Sequence, residues 1–262
     1  MQVDVLTSGI WQTNSTILSS RGSCVVVDPA YFPRELEAIA ARVRELGQAA
    51  AVIFTHGHWD HVMGHTALPG AAVHVSSVLA ESIAAGDPRA AKYLADAREF
   101  DLRWYVPRPR GYGWPGDLRR VVEAERTEIG GIALRTLHLP GHSPDGLGLV
   151  AGDVLLVGDY LSPCEIPFVE DALAYRATLA RLLDVVSAVA EVIPGHGPRM
   201  SAREAAAIAR EDLEYLDRML AAPDLATALE APLPRAADVP GMRDHHRDNC
   251  AAALRRSPSQ GS

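Results

Sequence analysis

Three histidines and an aspartate fall within six residues, His56-Gly57-His58-Trp59-Asp60-His61, directly after the apolar run at 51–54. Imidazole and carboxylate are donor types that zinc takes, and this spacing packs four of them into one short segment. Strand-like alternation points His56 and His58 the same way. A helix beginning near Trp59 would turn Asp60 and His61 elsewhere, which suits two adjacent ions better than one. A histidine standing alone is usually an ordinary surface or core residue; the density of this cluster is the signal.

Two ions need further donors, and three later positions offer them. Leu139-Pro140-Gly141-His142, Val157-Gly158-Asp159 and Ile193-Pro194-Gly195-His196 each put a ligand-type side chain just past an apolar run. Each is weak alone. Together with the first cluster they place donors at four strand ends, where the edge of a sheet could gather them. The remaining histidines read more plainly. His138 lies in a strand and reads as core, His74 reads as structural, and His65 shares a helical face with His61. His245 and His246 read as exposed on a terminal helix, because polar helix faces are normally solvated. Cys164 is expected to be a structural thiol.

The elements that must position these residues follow from the pattern of apolar runs. Residues 2–6, 15–19, 24–28, 51–54, 72–75, 132–139, 147–150, 154–157 and 191–193 read as strands. Residues 33–46, the stretch from 76 to 98, and 171–189, 202–220 and 244–256 read as helices, the first ended by Gly47. This order suggests two sheets faced by helices more than one doubly wound sheet. Residues 100–117 stand apart, with five of the fifteen aromatics among prolines and glycines. They are expected to form an ordered loop that either packs on its own domain or walls a substrate site. Trp104, Tyr105, Tyr112 and Trp114 are the substrate-contact candidates there, with Tyr160 beside Asp159. Arginines 103, 108 and 110 could meet an anionic group.

Composition bounds the function. The chain has 262 residues, 48% apolar and 22% charged, so it has the make-up of a globular protein. Three cysteines are too few and too scattered for a disulfide framework. The formal charge of −8, with no basic block, argues against nucleic acid as a partner. No apolar run approaches the ~20 residues that span a bilayer, and the first residues lack the layout of a signal peptide. A cytoplasmic location, a small-molecule substrate and no membrane partner are therefore expected, and the loop aromatics would serve a homodimer contact as well as a lid. Donors spread from His56 to His196 favour one domain over residues 1–231. A C-terminal extension, 232–262, would end in a helix and a frayed tail.

The motif His-x-His-x-Asp-His, intact at 56–61, and the later Pro-Gly-His, Gly-Asp and Pro-Gly-His elements resemble the metallo-β-lactamase fold superfamily over about residues 2–200. The resemblance implies a four-layer αββα sandwich of class α/β (α+β), with the site along one edge of two sheets. It also implies that His56, His58 and His142 bind one metal ion, Asp60, His61 and His196 a second, and that Asp159 bridges both. Asp60 would have a further catalytic role in orienting the nucleophile. An aspartate at 159 resembles the glyoxalase II-like branch rather than the best-known β-lactamases. The expected cofactor is two divalent ions, zinc first, with iron or manganese as alternatives. The expected activity is hydrolysis of a thioester or lactone by a metal-bridging hydroxide. Phosphodiester or β-lactam hydrolysis, iron-dependent persulfide oxidation and non-catalytic metal binding are the alternatives.

Overall fold

A computed structural model describes residues 1–255, so the tail expected at 257–262 and the last residue of the terminal helix lie outside the described residues. One sheet runs in chain order through β1 (Gln2–Thr7), β2 (Asn14–Ser20), β3 (Ser23–Val27), β4 (Gln48–Ile53), β5 (Ala72–Ser76) and β6 (Leu118–Val121). The other holds β7 (Ala124–Ile129), β8 (Ile132–His138), β9 (Leu147–Ala151), β10 (Val154–Leu156), β11 (Glu191–Ile193) and β12 (Met200–Ser201), again as successive neighbours. The first half also carries helices α1 (Pro33–Leu46), α2 (Trp59–Val62), α3 (Ser77–Ala85) and α4 (Pro88–Trp104). The second half carries α5 (Ala172–Val186), α6 (Ala202–Ala221), α7 (Leu225–Ala228) and α8 (Met242–Leu254).

Strand alternation builds the layers. Val25, Val27 and Ile53 face inward and meet Leu134, Leu149 and Leu156 of the opposite sheet in one buried cluster. Their neighbours Val26, Val52 and Phe54 point outward, against Ile39 and Val43 of α1, Leu79 of α3 and Tyr93 and Ala97 of α4. On the far side Leu155 and Val192 pack against Leu179 and Leu182 of α5, Leu216 of α6 and Cys250 of α8. Each such side chain contributes about 1.5–3 kcal/mol on burial, and the three clusters define the αββα sandwich. Helix boundaries follow local chemistry. The α1 stripe Leu36, Ile39, Ala40, Val43 has helical spacing and stops at Gly47. Ser201 and Glu204 cap α6 reciprocally.

Three differences from the sequence-based expectation have physical causes. The helical stretch after β5 is two helices, broken where Gly86 adopts φ +66° and Asp87-Pro88 starts α4 afresh. Helix α4 then continues to Trp104, so the first five residues of the expected 100–117 loop are helical. Strands β6, β7 and β12 carry too few apolar residues to announce themselves. All three lie at sheet edges, where charged side chains are tolerated and useful.

Candidate metal centre

The four motif residues follow β4 at one end of the sandwich: Phe54 and Thr55 lead out of the strand, and His58 precedes the short helix α2. His142 follows β8 through Leu139-Pro140-Gly141, Asp159 follows β10, and His196 follows β11. All four strands end at this one edge, and the seven side chains converge there in two groups able to hold metal ions. His56, His58, His142 and Asp159 form one, and Asp60, His61 and His196 the other, with donor atoms within 4.8 Å of one another in each group.

Two glycines permit the approach. Gly141 has φ +131°, and a Cβ there would lie 2.3 Å from the Tyr175 backbone. A Cβ on Gly195 would meet Asp159 Oδ1 at 2.2 Å, so only glycine leaves that carboxylate where it is.

The donors fit cations better than they fit one another. His58 Nδ1 lies 3.0 Å from His56 Nε2 and 2.8 Å from His142 Nε2, and the latter two are 3.2 Å apart. Three imidazole nitrogens facing one point cannot all be satisfied by shared protons, since each neutral ring has one donor and one acceptor. A cation at the point they share satisfies all three lone pairs. Asp159 reaches both groups: Oδ2 lies 3.5 Å from His56, 3.2 Å from His142 and 3.3 Å from His196, while Oδ1 is 3.2 Å from His61. Oδ1 is buried and has no hydrogen bond among the described residues. Asp60 Oδ2 accepts from Thr13 Oγ1 at 3.0 Å and sits 3.3 Å from His61 Nε2 and 3.5 Å from that of His196.

The opposite nitrogens of His61, His142 and His196 are anchored, which fixes the orientation of those three rings. His142 Nδ1 is 2.9 Å from Phe168 O, and His196 Nδ1 is 3.0 Å from Trp11 O. His61 Nδ1 is 3.0 Å from Asp28 Oδ2, and Asp28 also accepts from Thr55 N at 2.7 Å. Burial pushes His56 and His58 below the ordinary imidazole range. Burial opposes charge at His196 too, but the Asp159 and Glu165 carboxylates outweigh it and push that ring up to about 10. Asp60 is held well below the usual carboxylate range, because His61 and His196 overcome the contrary effect of burial.

Several residues that hold the site escaped the sequence reading. Asp28, at the end of β3, lies on the same sheet edge as the other donors, which is the one signal that could have found it. Trp11 and Thr13 lie between β1 and β2, a stretch held to α1 by Glu35, which accepts from Ser8 Oγ at 2.6 Å and Gly9 N at 2.8 Å. At the other side, α8 reaches under the site. Asn249 accepts from Val169 N at 3.0 Å and donates to Pro167 O at 2.6 Å, clamping the segment whose Phe168 carbonyl anchors His142. His246 is buried, 2.8 Å from the Tyr215 hydroxyl, and His245 packs on Phe168 with ring centres 4.0 Å apart. Neither is the solvated helix residue expected from polarity alone, because α8 lies against the sandwich rather than outside it.

A cleft of about 670 Å³ opens over both groups of donors. Its walls include Trp11, Trp59, Glu165, Phe168, Met242 and His245. The expected substrate contacts lie elsewhere. Trp104 and Tyr105 are 60% and 92% exposed, and Tyr112 donates to Asp101 at 2.9 Å. Trp114 donates to Ala90 O at 3.2 Å. Asp101 also binds Arg108 at 2.7 Å and Tyr31 at 2.8 Å, which fastens the 105–114 segment to the outer helical layer. Tyr160 is buried; its hydroxyl donates to Pro140 O at 2.7 Å and accepts from His142 N at 3.2 Å, so it braces the His142 turn. Cys164 lines the cleft, but burial pushes its thiol up, away from the reactive thiolate. Glu165 is also pushed up by burial, to about 7. No helix among the described residues is long and apolar enough to cross a membrane.

Known proteins with this architecture place the chain. A probable polyketide biosynthesis zinc-dependent hydrolase of Bacillus velezensis is 25% identical over 153 residues, 57% of this chain and 56% of that protein. The chain thus spans little more than half the length of that relative. Hydroxyacylglutathione hydrolase GloC of Haemophilus influenzae is 26% identical over 168 residues, 60% of this chain and 74% of that one. The crystal structure of TTHA1623, in a di-iron-bound form, is 26% identical and superposes with a TM-score of 0.59 over 78% of this chain and 97% of that one. Residues 8–223 match the sequence model of the metallo-beta-lactamase superfamily, and the chain belongs to that superfamily.

Proposed function

We propose that the protein is a dinuclear, zinc-dependent hydrolase of small acyl substrates, with a thioester or lactone as the bond broken. The observation that carries this reading is Asp159. One carboxylate at the floor of the cleft faces both groups of donors, and its buried Oδ1 has no hydrogen-bond partner among the described residues, so the two groups are built as one centre rather than two. His56, His58 and His142 would hold one ion, Asp60, His61 and His196 the other, and Asp159 both. All seven donors are nitrogen or oxygen, a set that suits zinc and also accepts iron or manganese. Ions held there supply Lewis acidity toward an acyl oxygen and make water a nucleophile near neutral pH.

The chain's own residues do the remaining work. Asp60 lines the cleft as well as its own donor group, so it is the carboxylate placed to accept a hydrogen bond from a water and orient it. Thr13 holds Asp60 in that position. Trp11, Trp59 and Phe168 line the cleft and give its wall an apolar surface beside the donors. Hydrolysis adds water across the acyl C–S or C–O bond and releases an acid together with a thiol or alcohol, so no serine or cysteine nucleophile is needed. The superfamily relatives named as hydrolases support this reading.

Metal analysis joined to a substrate panel tests it. Two zinc ions per chain and metal-dependent hydrolysis of simple thioesters or lactones are expected. A single iron per chain, or a metal-replete protein inert toward thioesters, lactones and phosphodiesters alike, would overturn it.

A further inference from the structure

The charge of the cleft wall points beyond the reactive bond to the group next to it. Apart from the five donors that reach it, the lining carries four carboxylates, Asp96, Glu165, Glu170 and Asp248, and no lysine or arginine among the described residues. Two of them are offset from outside: Lys92 Nζ lies 2.5 Å from Asp96, and Arg89 lies 2.5 Å from Glu170. Glu165 and Asp248 have no ion-pair partner among the described residues. The imidazole of His245 supplies no compensating charge, because burial holds it below its ordinary range. The rest of the wall is apolar and aromatic, with Trp11 56% exposed and its ring 5.1 Å from that of Trp59.

We infer that this cleft selects acyl substrates whose leaving group carries a cationic nitrogen and rejects those with an anionic one, with Glu165 as the specificity-determining residue. The inference rests on the hydrolase reading and deepens it. Above neutrality, where Glu165 is ionised, carboxylates without ion-pair partners attract a cation and repel an anion, and in a cleft that difference is larger than at an open surface. The exposed ring of Trp11 adds a second attraction for an alkylammonium group. An anionic leaving group, by contrast, finds no arginine or lysine among the described residues of the wall to receive it. The arginines 103, 108 and 110 marked in the sequence for that duty do not line this cleft.

Three thioesters with the same acyl group test this directly: S-butyrylthiocholine, S-butyryl-N-acetylcysteamine and S-butyryl mercaptoacetate, which carry cationic, neutral and anionic leaving groups. At low salt and a pH well above 7, where Glu165 is ionised, the metal-loaded enzyme should show kcat/KM higher for the cationic than for the anionic ester by roughly tenfold to a hundredfold. Glu165→Gln should bring the two within about threefold of each other. Equal or reversed preference in the wild-type protein, or a ratio that Glu165→Gln leaves untouched, would overturn the inference while leaving the hydrolase reading intact. Loss of all thioester turnover would instead count against the hydrolase reading. A second measurement does not depend on turnover: choline should quench tryptophan fluorescence at lower concentration than its uncharged carbon isostere. Glu165→Gln should abolish that difference, and an isostere that binds as well as choline refutes the assignment.

Discussion

Asp28→Asn should cripple metal binding without unfolding the protein, and the reason lies in hydrogen-bond polarity. In the native site, Asp28 Oδ1 accepts from Thr55 N at 2.7 Å, and Oδ2 accepts from Thr55 Oγ1 at 2.5 Å and faces His61 Nδ1 at 3.0 Å. The carboxylate therefore keeps the proton of His61 on Nδ1 and leaves Nε2 free toward Asp60 and Asp159. An asparagine must keep its oxygen toward the Thr55 amide, which sets its NH2 against His61 Nδ1. That donor pairs only with an unprotonated Nδ1, so the ring's proton moves to Nε2 and blocks the nitrogen that would hold an ion. Loss of such a carboxylate–histidine contact usually costs about 10–100-fold in affinity, or roughly 1.4–2.8 kcal/mol. Chelator competition followed site by site reads this loss, which should fall on the Asp60, His61, His196 group. Asp28→Ala separates the two effects. It removes the wrong-way donor but leaves the Thr55 amide unsatisfied, at about 1–3 kcal/mol of stability. Alanine should therefore lower Tm more, and asparagine should lower affinity more. The reverse order, or native affinity in Asp28→Asn, would refute the tautomer argument.

Asn249→Ala frees the segment that carries the Phe168 carbonyl; affinity at the His56, His58, His142 group should drop by about 10-fold or more, and unchanged affinity would show that α8 has no hold on the site. Gly195→Ala should displace Asp159 by placing a Cβ 2.2 Å from its Oδ1, which a lost second ion with a near-native melting curve would register. Metal binding should release protons, because the ring of His196 sits up to about 10 and must shed its proton to bind; calorimetry in buffers of differing ionisation enthalpy should show net release that shrinks as pH rises, and a buffer-independent heat would refute it. Arg235 binds both Asp212 and Ser162 O, the latter at 2.8 Å. Burial pushes Asp212 up from 3.8 to about 7 against the pull of Arg235, so stability should fall as pH rises through that window. Arg235→Met should extend the fall to higher pH and cost about 3–5 kcal/mol above neutrality, read as urea midpoints at several pH values.

The donors were legible because each sits on a feature the sequence displays: an apolar run, then a turn residue, then a histidine or aspartate. The same runs gave the layers, since Val25, Val26 and Val27 alternate between two buried faces and leave no polar side for solvent. What supports the donors was not legible. Asp28, Thr13 and Asn249 act through hydrogen bonds to residues 27, 47 and 80 positions away in the chain, and no local pattern marks such a pair. The aromatic segment misled for a related reason. Its composition suited a binding wall, but Asp101 recruits Tyr112 and Arg108 by contacts invisible in one dimension, and the wall is built by Trp11, Phe168 and α8 instead. Edge strands β6 and β7 were missed because their charged side chains, which guard the sheet edges, erase the alternation that marks a strand.

Those two edge strands also mark the seam of the molecule. The chain leaves the first sheet at Val121 and enters the second at Ala124, and each group of donors draws on both sides of that seam. His56 and His58 meet His142 and Asp159; Asp60 and His61 meet His196. An ion in either group is therefore a cross-link between half-molecules, joining positions some 84 to 135 residues apart. With three free cysteines and no disulfide, such links are the strongest available constraint on long-loop entropy in the unfolded chain. The centre that would do the chemistry is then also a clasp across the sandwich, added to the apolar core the two sheets already share.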